Sequence, residues 1–139
     1  MNGGFRLAAP AGRILLALIF VSAGINKLGA TAATAAYMAG HGIPLAGVLV
    51  YGVILVELVG GLMLMAGLYA RWIAGILFLY TLALAVIFHA YWAVPAAEAR
   101  IQRGFFFEHL SMMGGMLMVV ALGAGAFSLD ALMRRGVAE

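Results

Sequence analysis

Four long apolar segments run along the chain, separated by short connectors that hold most of the polar residues. The segments cover residues 10–28, 46–68, 73–93 and 107–127. About 20 apolar residues on a helix cross the hydrocarbon core of a bilayer, so each segment is long enough to span it. The first is short, but the stems of Arg13 and Lys27 can extend to the two membrane surfaces. The pattern predicts an all-α integral membrane protein built as a four-transmembrane-helix bundle, in one domain.

The first connector, residues 29–45, contains a run of small residues, TAATAAYMA, that favours a short helix. Thr31 is placed to act as its N-cap, and the glycines and proline of GHGIP end it. We predict that this helix lies at the membrane surface between spans one and two. After the fourth span, Ser128 and Asp130 are placed to cap a short terminal helix.

Four spans place both termini on the same side of the membrane. That side carries the larger share of basic residues: Arg6, Arg13, Arg71, Arg134 and Arg135 against Lys27, Arg100 and Arg103. Basic residues are enriched in cytoplasmic connectors. We therefore predict a multi-pass membrane protein with both termini in the cytoplasm.

Composition supports the membrane assignment and excludes several functions. The chain is 66% hydrophobic and 9% charged, too few charges to cover a water-facing surface. The net charge of +3 comes from scattered arginines, and this argues against nucleic-acid binding. No cysteine is present, which excludes disulfides, thiolate metal sites and cysteine redox centres. Redox chemistry would therefore need a bound cofactor or a partner protein.

One acidic residue, Glu57, lies about 15 Å into the second span, from the helical rise per residue. A carboxylate at that depth costs a few kcal/mol and usually finds a partner inside the protein. Gly60 and Gly61 on the same face allow another helix to approach closely. The other spans each contribute one ionisable residue to the same half of the membrane: Lys27, His89 and His109. We expect these side chains to converge on Glu57.

This polar set has several interpretations. Lys27 with Glu57 is either a buried ion pair that fixes helix register or a lysine that extends to the headgroups. His89 and His109 on adjacent helices suit quinone recognition, metal or haem ligation, or proton relay, and their spacing selects none of these. Asn26, beside Lys27, and Trp92, on the face of His89, complete the candidate ligand-binding residues.

A stripe of soft ligands opens the fourth span: His109, Met112 and Met116. Imidazole and thioether groups select Cu(I), which makes copper a candidate ligand. Core packing is the favoured interpretation, because methionine is common as filler among packed helices. Gly114 and Gly115 in the same span are interpreted as helix-contact positions.

The chain resembles the DoxX family of small bacterial inner-membrane proteins. The likeness is carried by GRILLALIFVSAGINKL at 12–28, AAYMAGHGIPLAG at 35–47, VELVGGLMLMAGLYARW at 56–72, IFHAYWAVP at 87–95, and FFFEHLSMMGGMLMV at the start of span four. Positions matching the family pattern are Ser22, Gly24, Lys27, Glu57, Gly60, Gly67, Arg71 and His89. At the position of His109, many relatives carry asparagine.

The resemblance implies a four-helix membrane fold and an association with redox systems. Relatives include a subunit of thiosulfate:quinone oxidoreductase and a partner of periplasmic oxidant-defence enzymes. The leading hypothesis is a small subunit or accessory protein of a redox system. It would bind a quinone-like ligand through Lys27, Glu57, His89 and His109, with Glu57 or His89 transferring the proton. We do not expect it to catalyse alone.

Two alternatives remain. One is a non-catalytic scaffold for periplasmic redox enzymes, whose polar network serves only the fold. The other is a carrier of copper or a small solute through His109, Met112 and Met116, which would need a homo-oligomer because four spans leave little room for transport.

Overall fold

The computed structural model describes residues 6–136, and every regular element in that range is helical. Six α-helices follow in order: α1 Ala8–Gly29, α2 Thr31–Gly40, α3 Ala46–Ala66, α4 Ala70–Phe88, α5 Ala96–Leu122 and α6 Leu129–Gly136. A 3-10 turn, Tyr91–Ala93, joins α4 to α5. The all-α class and the short helix between the first two spans are confirmed.

Four of these helices are long and apolar enough to cross a membrane: α1, α3, α4 extended through the 3-10 turn, and α5. The helix α1 packs along α3, α4 packs along α5, and α3 also contacts α4, while the short α2 lies against α3. Many large apolar side chains face outward, including Leu15, Val48 and Leu79, which are 65% or more exposed. Such a surface suits lipid, so the four-span membrane architecture is confirmed.

The fourth long helix starts earlier than predicted, at Ala96 instead of 107, and ends at Leu122 instead of 127. Pro95 precedes the first turn in an extended conformation, and Glu98 in that turn complements the positive end of the helix dipole. Gly104 does not interrupt the helix, because one interior glycine costs only about 1 kcal/mol. The helix ends where Gly123 takes a φ of 84°. Most of the connector predicted at 94–103 is therefore helix.

The start of α2 also differs from the prediction. Thr31 is its first residue, and Ala30 occupies the cap position without a side-chain bond. The Thr31 hydroxyl instead donates to the carbonyls of Lys27 and Leu28 in the last turn of α1. Thr31 therefore supplies a donor to carbonyls at the end of α1 and is the first residue of α2. Its assignment as an N-cap was wrong.

Arg13 was predicted to extend to the membrane surface, and this was wrong: the residue is buried, with 4% exposure. Its guanidinium donates to the carbonyls of Met65, Ala124 and Phe127. The chain after α5 is irregular, so its carbonyls lack helical partners and need a donor from elsewhere. A guanidinium with five N–H groups can serve two of them, those of Ala124 and Phe127, together with the carbonyl of Met65 at the end of α3.

Asp130 joins α6 to the start of α4, at the same end of the bundle as Arg13. Its carboxylate accepts from the backbone N–H of Tyr69 at 2.7 Å and of Ala70 at 2.9 Å, at the start of α4. The cap of α6 itself is Ser128, whose hydroxyl accepts from the N–H of Ala131. The predicted cap pair is thus divided, with Ser128 capping α6 and Asp130 capping α4.

Candidate functional site

Two glycines bring the backbones of α1 and α3 into close contact. A methyl group built on Gly24 would lie 2.9 Å from the backbone nitrogen of Leu58, and one on Gly61 would lie 2.9 Å from Cγ2 of Val21. Lys27 is one turn beyond Gly24, and Glu57 is one turn before Gly61. Since residues three or four apart share a helix face, the crossing places these two side chains opposite each other.

Lys27 and Glu57 form an ion pair at this crossing. The Lys27 Nζ lies 2.9 Å from Oε1 and 2.8 Å from Oε2 of Glu57. The Glu57 side chain is 3% exposed, whereas that of Lys27 is 28% exposed. Removing one partner of a buried pair typically costs about 3–5 kcal/mol, because the other charge is left uncompensated. The carboxylate therefore has the basic partner that its depth in the membrane requires.

Tyr80 is a second partner of Glu57 that sequence reasoning missed. Its hydroxyl donates to Oε1 of Glu57 at 2.6 Å. Tyr80 lies on α4, so the carboxylate links α1, α3 and α4. The available signal was a phenol in the middle of an apolar span, because a buried tyrosine hydroxyl usually finds a partner.

The two histidines lie side by side, with ring centroids 4.7 Å apart. His109 Nδ1 is 2.7 Å from the carbonyl of Phe105, and His89 Nδ1 is 2.8 Å from Oε1 of Gln102. These oxygens only accept, so Nδ1 carries the proton in both rings and each neutral ring keeps an acceptor lone pair on Nε2. Gln102 was missed because its segment was predicted as a connector instead of helix.

A cavity of about 660 Å³ connects these groups, within the usual size range of small-molecule sites. Its walls are mostly apolar and come from α1 to α5, with Phe20, Val53 and Leu84 among them. Its polar lining includes Lys27, Glu57, Tyr80, His89 and His109. Ile19, Leu49 and Ile87 also line it and are nearly half exposed, so the cavity opens sideways toward lipid.

Four of the six predicted ligand-binding residues, Lys27, Glu57, His89 and His109, line this one cavity, and two do not. Asn26 is on the exposed surface of α1. Trp92 is 59% exposed and packs against the rings of Tyr91 and Phe106. Lys27, next to Asn26 in the sequence, lines the cavity, whereas the nearest lining residue to Trp92 is His89, three positions earlier.

The stripe proposed for copper is divided between two environments. Met112 lines the cavity together with His109. Met116 is fully buried in the core among Ala17, Leu64 and Leu77. Across residues 6–136, no group of three or more His, Cys, Asp or Glu side chains is arranged to hold a metal ion.

The remaining glycines of the predicted helix contacts have different surroundings. A methyl group on Gly60 would meet Leu77 of α4 at 3.3 Å, and one on Gly115 would meet Leu16 of α1 at 3.4 Å. At Gly114, nothing lies within 4 Å. Gly60 and Gly115 are therefore contact positions, and the same interpretation of Gly114 was wrong.

Comparison with known proteins places this arrangement in a family. The DoxX family model matches residues 8–90, which hold Lys27, Glu57, Tyr80 and His89 but not His109. The chain is 33% identical over 123 residues to the inner membrane protein YqjF of Escherichia coli (strain K12), covering 88% of this chain and 89% of that protein. It is 30% identical over 118 residues to the inner membrane protein YphA of the same organism, covering 85% and 84%.

No solved structure matches the chain. The four apolar helices and the inner-membrane relatives together indicate a multi-pass protein of the inner membrane. With a family model that covers more than half of its length and relatives that align with nearly all of it, the chain belongs to the DoxX family.

Proposed function

We propose that this protein is an accessory membrane subunit of a redox system and that its cavity binds a quinone-like ligand. The proposal rests on one observation, the combination of apolar and polar surfaces in the cavity. It combines apolar walls and a lipid-facing opening with a polar region formed by Lys27, Glu57 and Tyr80 and by the two adjacent imidazoles. A quinone has the same two parts, a polar ring and an apolar tail.

The unused hydrogen-bonding capacity of the lining suits both redox forms of such a ligand. A neutral imidazole accepts at Nε2, which suits the hydroxyl groups of a quinol. Lys27 has three N–H donors and directs two of them to Glu57, so one is left for a quinone carbonyl. The apolar tail would leave the cavity past Ile19, Leu49 and Ile87.

Oxidation of a quinol releases two protons and two electrons. Of the two predicted proton acceptors, the histidine is the better suited, because both oxygens of Glu57 already accept hydrogen bonds from Lys27 and Tyr80. We assign acceptance of one proton to Nε2 of His89 and of the second to Nε2 of the adjacent His109, and assign Glu57 the role of positioning Lys27. The two electrons pass to a partner redox protein, since this chain has no cysteine centre.

We further propose that both termini face the cytoplasm, which places this cavity in the periplasmic half of the membrane. The support is the excess of arginine near the ends of the helices on the terminal side. A periplasmic redox enzyme would then meet the bundle on the side where Lys27 and the histidines lie.

The proposal is tested by titrating the purified protein in detergent with a short-tailed quinol and recording the dissociation constant. We expect saturable binding by the wild type and binding weaker by at least about tenfold in Glu57→Gln, because Lys27 is then no longer held in position and its charge-assisted hydrogen bond to a ligand oxygen is worth about 1.5–3 kcal/mol. Tyr80→Phe is expected to weaken binding less. Its matched control is Tyr51→Phe, because Tyr51 on α3 is 65% exposed and does not line the cavity.

Two results would contradict the proposal. One is the absence of quinol binding by a folded wild-type protein. The other is equally tight binding by wild type and Glu57→Gln. If substitution at Glu57 alters only the unfolding temperature while no variant binds quinol, the network serves the fold alone, as the scaffold hypothesis states.

A further inference from the structure

A second cavity, of about 450 Å³, lies at the opposite end of the bundle from Lys27. It forms where α3 ends at Ala66 and where the chain turns into α6, so it lies at the level of the membrane surface. Its lining consists of Arg6, Ala66, Ala126, Phe127, Ser128, Leu129, Leu132 and Arg135. The site proposed above uses none of these residues.

Two arginines line this cavity from distant parts of the sequence, Arg6 before α1 and Arg135 in α6. The guanidinium carbon of Arg6 lies 5.6 Å from the centre of the Phe127 ring, which favours this position of the side chain. The nearby carboxylate of Asp130 is engaged by the N–H groups of Tyr69 and Ala70. Between residues 6 and 136, the one salt bridge is that of Lys27 with Glu57. The cavity is therefore positively charged, and no salt bridge within the described part of the chain neutralises it.

The helix α6 is amphipathic in a way that fits a membrane surface. Leu129, Leu132 and Met133 lie on one face and are 41%, 60% and 43% exposed. Arg134 and Arg135 follow in its last turn. A short helix with one apolar face and arginines beside it lies in the plane of the headgroups, with the apolar face toward the acyl chains. Leu129 and Leu132 also line the cavity, so its apolar wall continues into this face.

We propose that this second cavity binds the headgroup of an anionic phospholipid. Guanidinium groups bind phosphate oxygens in a bidentate geometry, and here two of them flank one cavity. The acyl chains would follow Leu129 and Leu132 into the bilayer. A zwitterionic lipid has the same phosphate, but its ammonium group would lie beside Arg6 and Arg135, so anionic lipid is the preferred class. The proposal is independent of the quinone site.

The test is a titration of the detergent-purified protein with phosphatidylglycerol and, separately, phosphatidylcholine, with bound lipid counted by native mass spectrometry. We expect phosphatidylglycerol to bind more tightly. Arg6→Gln and Arg135→Gln should each weaken it about fivefold, and the double variant about 25-fold, from the usual contribution of one basic residue near anionic lipid. The control is Arg103→Gln, because Arg103 also lies over an aromatic ring, that of Phe107, but on α5 away from this cavity.

Equal binding of the two lipids, or unchanged binding of phosphatidylglycerol by both single variants, would overturn the proposal. Inorganic phosphate provides a second arm, since a free anion shares the chemistry of the headgroup. Displacement of bound lipid by low-millimolar phosphate would assign the cavity to a free anion and also overturn it. If the double variant fails to fold, the two single variants decide the question. Binding weakened to the same extent by Arg103→Gln would show a general charge effect and would count against the site.

Discussion

Replacing Gly24 with alanine is expected to push α1 away from α3 and destabilise the protein. The new Cβ would lie 2.9 Å from both the Cβ and the backbone nitrogen of Leu58, and 3.1 Å from its Cα. Ordinary contacts of a methyl group begin at about 3.4 Å, where dispersion is favourable. Because the obstructing atoms include backbone, no rotation of a side chain relieves the clash, and the helices themselves must separate.

The size of the effect follows from two opposing contributions. Overpacking costs about 1–3 kcal/mol, and contact with backbone places this site in the upper part of that range. Alanine in place of an interior glycine gains about 1 kcal/mol of helix propensity. We therefore expect a net loss of about 1–2 kcal/mol in the free energy of unfolding. The separation would also lengthen the contact of Lys27 with Glu57, so quinol binding should weaken in parallel.

Gly12→Ala is the matched control, because Gly12 is in the same helix and a methyl group there would have nothing within 4 Å. This variant should be as stable as the wild type or more stable by up to about 1 kcal/mol. The assay is reversible unfolding in mixed micelles with increasing dodecyl sulfate, followed by circular dichroism. Equal stability of the two alanine variants would refute the close crossing and, with it, the explanation of how Lys27 meets Glu57.

Two further predictions concern residues that the structure places in the interior. Arg13→Met leaves three backbone carbonyls without their donor. At about 1–3 kcal/mol for each unsatisfied group, the free energy of unfolding should fall by at least about 3 kcal/mol. The control is Arg100→Met at the exposed start of α5, which should have little effect. Met116→Ala should lower the free energy of unfolding by about 2–5 kcal/mol through the cavity it creates, and should leave any copper binding unchanged. Met118→Ala, at a 59% exposed position, should lower it by less than about 0.5 kcal/mol. A loss of copper affinity in Met116→Ala with unchanged stability would instead support the carrier hypothesis.

The architecture could be predicted from the sequence because few backbone structures are stable in lipid. Backbone polar groups must be satisfied within each spanning segment, so long apolar runs must be helices. The same rule identified Glu57 as a residue that requires a partner, and Lys27 was the available base in the same half of the bundle. Long-range chemistry was predictable here because few polar residues were present to choose from.

The parts that escaped prediction depend on positions that hydropathy does not describe. Tyr80 reads as one more aromatic residue in an apolar span, and only the packing of α4 on α3 turns its hydroxyl toward Glu57. Gln102 meets His89 because α5 begins well before its apolar part, at Ala96. Arg13 resembles a residue at the membrane surface, and its burial depends on the irregular chain after α5 returning to cover it.

The way in which polar atoms remain accessible in the main cavity favours a ligand over a purely structural network. A network that serves only the fold tends to satisfy every buried donor and acceptor internally. Glu57 meets that condition, since Lys27 and Tyr80 occupy both of its oxygens. The two imidazoles do not meet it, because only Nδ1 of each ring is hydrogen-bonded. In residues 6–136, the one buried side-chain polar atom without a partner is Oγ1 of Thr81, so Nε2 of neither ring is both buried and unpartnered. Neither Nε2 atom has a hydrogen-bond partner among the described residues, and both rings line the main cavity, which is the arrangement that the proposed binding of a hydroxyl-bearing ligand requires.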